Sequence, residues 1–265
     1  MAGKSLLPPP PGAGIISSFP KSGRTWLRFM LSVYLDDLYG LQGAVDLHSM
    51  FRILPNNDDD ALRGRHLYAF ADRPEVPRVL CEHLLWRPFD PAVNPTVAIV
   101  RSPVDTLVSS YFMETRQRHQ TDIELPAYLR SKRGVRRWIV YYNALLAERP
   151  PGIATWVSYE QLKQEPMATL GVVLDTFRID RDPERMERAI AASAFDRMAA
   201  LEEDQGFPGN PADPDDPQGR RMREGKVGAA SRYLTPADED FVRTTINETL
   251  HPAARERLRQ LGCNL

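Results

Sequence analysis

The sequence contains only two cysteines in 265 residues, Cys81 and Cys263, which excludes a disulfide-stapled scaffold and a metal site built from four thiolates. It contains no stretch of eighteen consecutive apolar residues, and its N-terminal residues lack the apolar core of a signal peptide before a run of four prolines. We therefore expect a cytoplasmic protein that is neither exported nor anchored in a membrane.

The sequence also lacks a strong net charge, because 34 basic and 35 acidic residues leave a formal charge of −1. Nothing in this balance favours nucleic acid or an anionic membrane as a partner, so any anion site must be a local cluster of Lys and Arg. A hydrophobic content of 42% is typical of a globular protein with one large core. We predict an extended lead-in over residues 1–14 and a single domain over residues 15–265.

The N-terminal part of the domain has the pattern of a strand, a loop and a helix. A short apolar run that ends at Ser17 and Ser18 is followed by a turn at Pro20 and then by apolar residues at helical spacing. Backbone N–H groups and the dipole at a helix N-terminus favour an anion, a glycine allows its close approach, and a lysine and two hydroxyls add donors. We predict a phosphate-binding loop formed by Lys21, Ser22, Gly23, Arg24, Thr25 and Trp26.

Two further apolar runs end in polar residues, where parallel α/β sheets place their sites. Residues 78–85 predict a short buried strand with His83 near its end, either as a base or as a structural histidine. Residues 96–100 predict a second strand that ends in Arg101, where a nucleotide hydrolase would commonly have an Asp that helps to hold Mg²⁺. Because a guanidinium binds phosphate and cannot ligate a metal, we predict a phosphate site without a metal ion.

Residues 20–26 read Pro-Lys-Ser-Gly-Arg-Thr-Trp, which differs from the nucleotide-hydrolase loop because the lysine precedes the glycine and the earlier glycine is missing. The run closely resembles the 5′-phosphosulfate loop of the cytosolic-type sulfotransferases, usually Pro-Lys-Ser-Gly-Thr-Thr-Trp. That loop binds 3′-phosphoadenosine 5′-phosphosulfate (PAPS), whose desulfated product is PAP. Only Arg24 departs from the family pattern.

The strand that ends in Cys-Glu-His-Leu resembles the family strand Lys-x-His-Leu-Pro, which carries the general base. The resemblance implies that His83 is this base and that Glu82 is the reserve carboxylate. Cys81 replaces the family lysine, so one cation expected near the reaction is missing. Arg24 is the candidate to replace its charge.

Four later segments resemble the family's remaining cofactor motifs, in the same order along the chain. They are an Arg with a Ser eight residues later, a Tyr-Glu segment, a Ser-Ala-Phe-x-x-Met segment and a final Arg-Glu-Gly-x-x-Gly. The family uses them for the 3′-phosphate and for stacking on adenine. They imply as cofactor ligands Arg101, Ser109, Tyr159, Phe195, Arg223, Glu224 and Gly225, with Glu224 in place of a family lysine. The family's dimer segment, which follows, is not matched, so an oligomer remains open.

Together the patterns predict a single-domain α/β protein with a mostly parallel central sheet flanked by helices and a P-loop-like phosphate site. The resemblance implies transfer of a sulfuryl group from PAPS to a hydroxyl, or alternatively an amine, of a small-molecule acceptor. His83 would act as base and Lys21 would stabilise charge. Two alternatives stay open: a P-loop-type nucleotide kinase, which would need a metal-binding carboxylate, and a catalytically inactive nucleotide-binding protein. We expect the acceptor pocket to draw on residues 40–77, on the surroundings of Trp86 and on residues 111–119.

Four other segments carry structural expectations. Residues 56–60 and the basic stretch 116–137 are expected to be solvated, and residues 183–198 are expected to be helical. Residues 202–219 are rich in Asp, Glu, Pro and Gly, a composition that predicts a mobile loop without a packed core, either an idle insertion or a lid. Because the segment leads directly into Arg223, we expect residues 202–222 to form a lid.

Overall fold

The computed structural model describes residues 8–83, 94–146, 154–210 and 215–265. In this part of the chain, four parallel strands form one sheet in the spatial order β2-β1-β3-β4. The strands are β1 (Gly14–Ser18), β2 (Val79–Glu82), β3 (Thr96–Val100) and β4 (Thr155–Ser158). The prediction of a parallel α/β sheet is confirmed.

Strands β1 and β3 are buried along their whole length, because helices cover both faces of the sheet. The chain runs from β1 to β2 on one side and then returns to β3 on the other side of β1. This reversal places a crevice at the carboxyl ends of β1 and β3, which is where open α/β sheets bind ligands.

Helices pack on both faces of the sheet. One apolar cluster joins it to the first helix and to three helices that follow β4, and a second cluster joins it to helices after β3 and near the C-terminus. Among the described residues, no helix is long and apolar enough to cross a membrane. In chain order the helices are α1 (Arg24–Tyr39), α2 (Met50–Ile53), α3 (Pro103–Phe112), α4 (Leu125–Arg130), α5 (Val135–Leu146), α6 (Tyr159–Gln164), α7 (Pro166–Thr176), α8 (Pro183–Ala192), α9 (Phe195–Gln205), α10 (Pro236–Thr249) and α11 (Pro252–Gln260).

The predicted helix over residues 183–198 is two helices, α8 and α9. The backbone is extended at Ala194, and the Ser193 carbonyl accepts a hydrogen bond from the indole N–H of Trp26 at 2.8 Å. The break thus joins the start of α9 to α1. Phe195, the first residue of α9, is carried toward the phosphate loop.

The turn over residues 56–60 is not fully solvated, because its two asparagines are buried. Arg28 donates to Asn56 Oδ1 at 2.6 Å, and the Asn57 amide donates to Glu82 Oε2 at 2.8 Å. The turn is therefore fixed to α1 and to the end of β2. The remaining predicted strand residues after His83 lie outside the described residues.

The basic stretch 116–137 is only partly a solvated face. Glu114 is buried and pairs with Arg133 at 3.0 Å and with Arg137 at 3.2 Å. Arg130 donates to Asp238 Oδ1 at 2.7 Å, which joins α4 to α10. Buried carboxylates thus turn surface cations into links between helices.

The expectation that residues 202–219 lack packed residues is wrong at the start of the segment. Glu202 lies in α9 at 1% exposure, and its carboxylate accepts from the backbone N–H groups of Arg221 at 2.7 Å and Met222 at 2.8 Å. Phe207 is buried with its ring edge against Phe51. Residues 211–214 lie outside the described part of the chain, and closure of a lid stays a prediction.

Glu160 joins the start of α6 to the start of α3. Its Oε1 accepts from Ser102 N–H at 2.9 Å and from the Ser102 hydroxyl at 2.6 Å, all in buried surroundings. The hydroxyl therefore does not cap α3, although Ser102 stands at its N-cap. Because Ser102 follows Arg101, Glu160 fixes the backbone that carries this arginine.

We expect Glu160→Ala to destabilise the fold, because it leaves two buried donors on Ser102 without an acceptor at a cost of about 1–3 kcal/mol each. Urea unfolding followed by circular dichroism measures this loss. The matched control is Glu203→Ala, which removes an exposed carboxylate that lies 3.5 Å from Arg220. Equal unfolding midpoints for the two variants would contradict the role given to Glu160.

Candidate active site

A cavity of about 620 Å³ opens at the carboxyl ends of β1, β2 and β3. Every site residue predicted from the sequence lines it, with the exception of Ser22. Those that line it are Lys21, Gly23, Arg24, Thr25, Trp26, His83, Arg101, Ser109, Tyr159, Phe195, Arg223, Glu224 and Gly225.

The loop between β1 and α1 bends sharply, with positive φ at Lys21 (68°) and at Gly23 (98°). Position 23 requires a glycine for two reasons. Its φ is positive, and a Cβ there would lie 2.6 Å from the ring of Tyr159. Trp26 N–H donates the first helical hydrogen bond of α1, so the N–H groups of Arg24 and Thr25 precede it. The loop thus presents donors at a helix N-terminus, as predicted.

Ser22 does not contribute the hydroxyl donor expected of it. The residue is fully buried, and its hydroxyl lies against that of Tyr142 on α5. Its backbone N–H donates to the Phe19 carbonyl at 3.3 Å. Ser22 therefore stabilises the turn, and the cavity-facing hydroxyl of this loop belongs to Thr25.

Lys21 lies in a field of like charge. Burial is the main cause that lowers the pKa of its ammonium to about 7, and Arg221, Arg223 and Arg101 act in the same direction against Glu202. An anion in the cavity would offset this repulsion. The loop is thus electrostatically prepared for a negatively charged ligand.

Arg101 is held on three sides. Its guanidinium stacks 4.2 Å above the Tyr159 ring, donates to the Lys21 carbonyl at 3.3 Å and lies 3.6 Å from Asp105. The buried Asp105 carboxylate also accepts from the N–H groups of Gly228 at 2.8 Å and Ala230 at 3.2 Å. One carboxylate therefore positions both Arg101 and the glycine-punctuated turn that faces it.

Arg223 reaches the same end of the cavity and packs 4.3 Å from the Phe112 ring. Glu224 accepts from Arg223 at 3.1 Å, from the Tyr233 hydroxyl at 2.7 Å and from Arg232. Glu224 lines the cavity as predicted, but a carboxylate that accepts these bonds orients Arg223 and does not itself donate to a phosphate.

Aromatic rings frame the space beside the loop. The Trp26 ring has the Tyr159 ring at 5.3 Å and the Lys163 ammonium at 4.9 Å. Gly225 lies close against Phe195, because a Cβ at Gly225 would meet that ring at 2.1 Å. Flat rings at such a site suit stacking on a nucleobase.

His83 lies where the cavity meets a second one of about 520 Å³. Its Nδ1 is 2.8 Å from the Ser18 carbonyl, which only accepts, so Nδ1 carries the proton and Nε2 has the lone pair. Arg24 Nη2 lies 2.8 Å from that Nε2. Burial and then the Arg24 charge lower the pKa of His83 well below its usual value, which keeps the imidazole neutral.

Cys81 stands where the family has a lysine, and the side chain of Arg28 packs against it. Cys81 is buried and accepts from Arg28 Nε at 3.2 Å. The cation beside His83 is instead Arg24, one turn earlier on α1. Sequence reasoning named Arg24 but missed Arg28, because nothing local in the sequence indicates that a charged residue of α1 faces inward.

Other residues that the sequence did not single out also line the cavity. Asn57 follows from the buried turn, and Arg63, Arg118 and Arg221 add three cations. Arg63 and Arg118 fall in two of the three segments expected to form the acceptor pocket, and Trp86, in the third, lies outside the described residues. The two arginines could not be singled out from the sequence, because their charge does not distinguish them from exposed arginines nearby in the chain. Among the residues that the structure describes, no three His, Cys, Asp or Glu side chains gather as a metal site would require.

Comparison with known proteins gives a consistent family. A family model described as the sulfotransferase domain matches residues 12–254. Sulfotransferase 2A6 of Mus musculus is 21% identical to the chain, over 85% of this chain and 80% of that protein.

Solved structures show the same fold. Mouse sulfotransferase SULT7A1 complexed with PAP is similar at a TM-score of 0.66 and 18% identity, over 94% of this chain and 88% of that one. Retinol dehydratase in a complex with retinol and PAP has a TM-score of 0.71 and 18% identity, over 93% and 83% of the two chains. Its complex with androsterone and PAP has a TM-score of 0.69 and 16% identity, over 94% and 83%.

We expect Lys21 to titrate near pH 7 and not near its ordinary value of 10.5. Arg221→Gln should raise the pKa of Lys21, because it removes the neighbouring cation that lowers this pKa most. A side-chain NMR titration, assigned with Lys21→Gln, measures both values. Arg243→Gln is the control, since Arg243 is exposed on α10 and pairs with Asp240. A Lys21 pKa that Arg221→Gln and Arg243→Gln leave equally unchanged would contradict the proposed field.

Proposed function

Because the chain belongs to the sulfotransferase family, whose domain covers residues 12–254, we propose that it transfers the sulfuryl group of PAPS to a hydroxyl of a small-molecule acceptor. An amine is the alternative acceptor group. The observation that carries the proposal is the convergence of the phosphate loop, two phosphate-facing arginines and His83 on one cavity.

The residues in the cavity fit PAPS in three places. Lys21 and the N–H groups at the start of α1 suit the phosphosulfate, and Arg101, Ser109 and Arg223 suit the 3′-phosphate. The rings of Trp26, Tyr159 and Phe195 suit stacking on adenine. The similar proteins SULT7A1 and retinol dehydratase are complexed with PAP, which supports this assignment.

When bound, PAPS supplies the sulfuryl group, and this chain supplies the base and the charge stabilisation. A bond forms between the acceptor oxygen and sulfur while the bond from sulfur to the phosphate oxygen breaks. His83 Nε2 takes the acceptor's proton, a contribution of roughly 10²–10⁴-fold for a well-placed base. Lys21 and the loop N–H groups stabilise the charge that remains on the phosphate oxygen.

Through Arg24, binding of an anion at the loop would free the lone pair of His83 Nε2. Its Nη2 occupies the lone pair of His83 Nε2, whereas its Nη1 is buried without a hydrogen-bond partner among the described residues. Burial and the charge of Arg28 lower the pKa of Arg24 to about 10, so it remains a cation at neutral pH. An anion at the loop attracts this guanidinium, and Nε2 then becomes free for the acceptor.

The direct test is incubation with radiolabelled PAPS and a panel of hydroxylated metabolites, with the labelled products resolved by chromatography. Labelled acceptor supports the proposal. Tight binding of ATP only with Mg²⁺ would favour a kinase. Tight PAP binding without sulfuryl transfer to any acceptor would favour a nucleotide-binding protein that lacks a working base.

We expect Arg101→Ala to weaken PAP binding, because a charge-assisted hydrogen bond contributes about 1.5–3 kcal/mol. The loss should be smaller for 5′-AMP, which lacks the 3′-phosphate. Isothermal titration calorimetry with both nucleotides measures the difference, and Arg243→Ala serves as the control. Equal losses for PAP and 5′-AMP would remove Arg101 from the 3′-phosphate site.

We expect His83→Ala to abolish turnover while PAP affinity stays nearly intact. A base is active when neutral, so turnover falls as the pH falls through its pKa. Because the pKa of His83 is lowered, the acid limb should lie below its usual value of 6.5. Initial rates across pH and PAP titrations measure both effects. If Glu82→Gln is inactive and His83→Ala is active, the two roles are reversed.

A further inference from the structure

Three arginines outside the proposed phosphate contacts also line the cavity. Arg63 comes from the loop before β2, Arg118 from the turn after α3, and Arg221 from the segment before Arg223. They arrive from separate parts of the chain. Their convergence is therefore a product of the fold and not of a local basic run.

These arginines are close enough to repel one another. Burial, then Arg63 and after it Arg118 and Arg24, lower the pKa of Arg221 to about 9 against the effect of Glu202. Burial and Arg63 also lower the pKa of Arg118. The guanidinium groups of Arg63, Arg118 and Arg221, together with that of Arg24, therefore form one cluster of like charge.

The carboxylates near this cluster compensate it only in part. Asp60 pairs with Arg63 at 2.8 Å, whereas Glu114 pairs with Arg133, just before α5, and with Arg137 in α5. Glu202 accepts two backbone N–H groups. Asp58 and Glu82 also line this end of the cavity, and Glu82 accepts from Asn57.

Arg118 and Arg221 form no ion pair within the described ranges. Arg221 stacks 3.8 Å above the Phe207 ring, and its Nε is buried without a hydrogen-bond partner there. Arg118 is exposed to solvent, whereas a partly desolvated cation such as Arg221 is costly unless a counter-charge reaches it. The cluster thus has the electrostatic character of an anion site.

The proposed phosphate ligands Lys21, Arg101 and Arg223 do not include Arg63 or Arg118, whereas Arg221 also lies near enough to Lys21 to lower its pKa. Arg118 lies near enough to His83 to lower the pKa of the imidazole. The second cavity beside His83 is also basic, with Lys132 and Arg136 in its lining. Cations therefore line both cavities beside His83, together with the carboxylates of Asp58 and Glu82.

We propose that the acceptor carries an oxyanion, such as a carboxylate, which Arg63, Arg118 and Arg221 bind while its hydroxyl faces His83. The proposal rests on the sulfotransferase function and names the class of its acceptor. Retinol and androsterone, which occupy the similar retinol dehydratase, are neutral molecules. A neutral acceptor here would desolvate the arginines without compensating their charge.

The test compares 4-hydroxyphenylacetate with its amide, 4-hydroxyphenylacetamide, which has the same shape without the charge. Binding of each to the PAP-loaded protein is measured by calorimetry, and kcat/KM is measured with saturating PAPS. The acid should be preferred by at least about tenfold, because sites built for a polar group reject analogues that lack it.

Arg118→Gln and Arg63→Gln should each reduce this preference by about tenfold, through weaker binding of the acid and not of the amide. PAP affinity should be unchanged, and Arg118→Lys should restore part of the preference because it restores the charge. Arg243→Gln, on the exposed face of α10, should leave the preference unchanged.

Equal binding of acid and amide to the loaded wild-type protein, or binding of neither, overturns the inference. A preference that survives in both Gln variants overturns it as well. These outcomes are distinct from failure of the proposed function, which would appear as no PAP binding or as no sulfuryl transfer to any hydroxylated acceptor. Efficient sulfation of neutral acceptors alone would retain the function and refute the anionic class.

Discussion

Repulsion among cations is the constraint on which the candidate active site depends. Two unit charges 4 Å apart repel by about 4 kcal/mol at an effective dielectric constant of 20. A few carboxylates hold the arginines in place against this repulsion. Asp105 holds Arg101, Glu224 holds Arg223, and Glu202 fixes the backbone of Arg221. The site is thereby organised before an anion arrives, and such preorganisation is a main source of electrostatic catalysis.

The same carboxylates tie loops to the sheet, so charge and fold are not separate problems here. Glu160 joins the start of α6 to the residue after Arg101, and Asp105 joins α3 to the turn at Gly228. The crevice between β1 and β3 places the phosphate loop and Arg101 side by side. Stability of these links and affinity for the cofactor should therefore change together.

Local patterns predict much of this arrangement. The run before Lys21, the turn and the helical spacing after it specify strand, loop and helix, and Arg101 follows from a strand end. Long-range pairing could not be predicted in this way. Glu114 meets Arg133 across nineteen residues of sequence, and the Ser22 hydroxyl turns to Tyr142 because α5 packs there. The sequence predicts that Glu202 belongs to a polar loop, whereas in the structure it is buried and accepts hydrogen bonds from two backbone N–H groups.

The exchange of one cation for another explains why Cys81 need not cost this chain its chemistry. Arg24, where the resembling family has threonine, places a guanidinium 2.8 Å from His83 Nε2, so positive charge stays beside the base although it comes from α1 and not from β2. Desolvation and then this charge lower the pKa of His83, and the guanidinium occupies its lone pair. In the proposed mechanism, attraction of Arg24 to a bound phosphosulfate would free this lone pair. Proton abstraction would then depend on the presence of the sulfuryl donor.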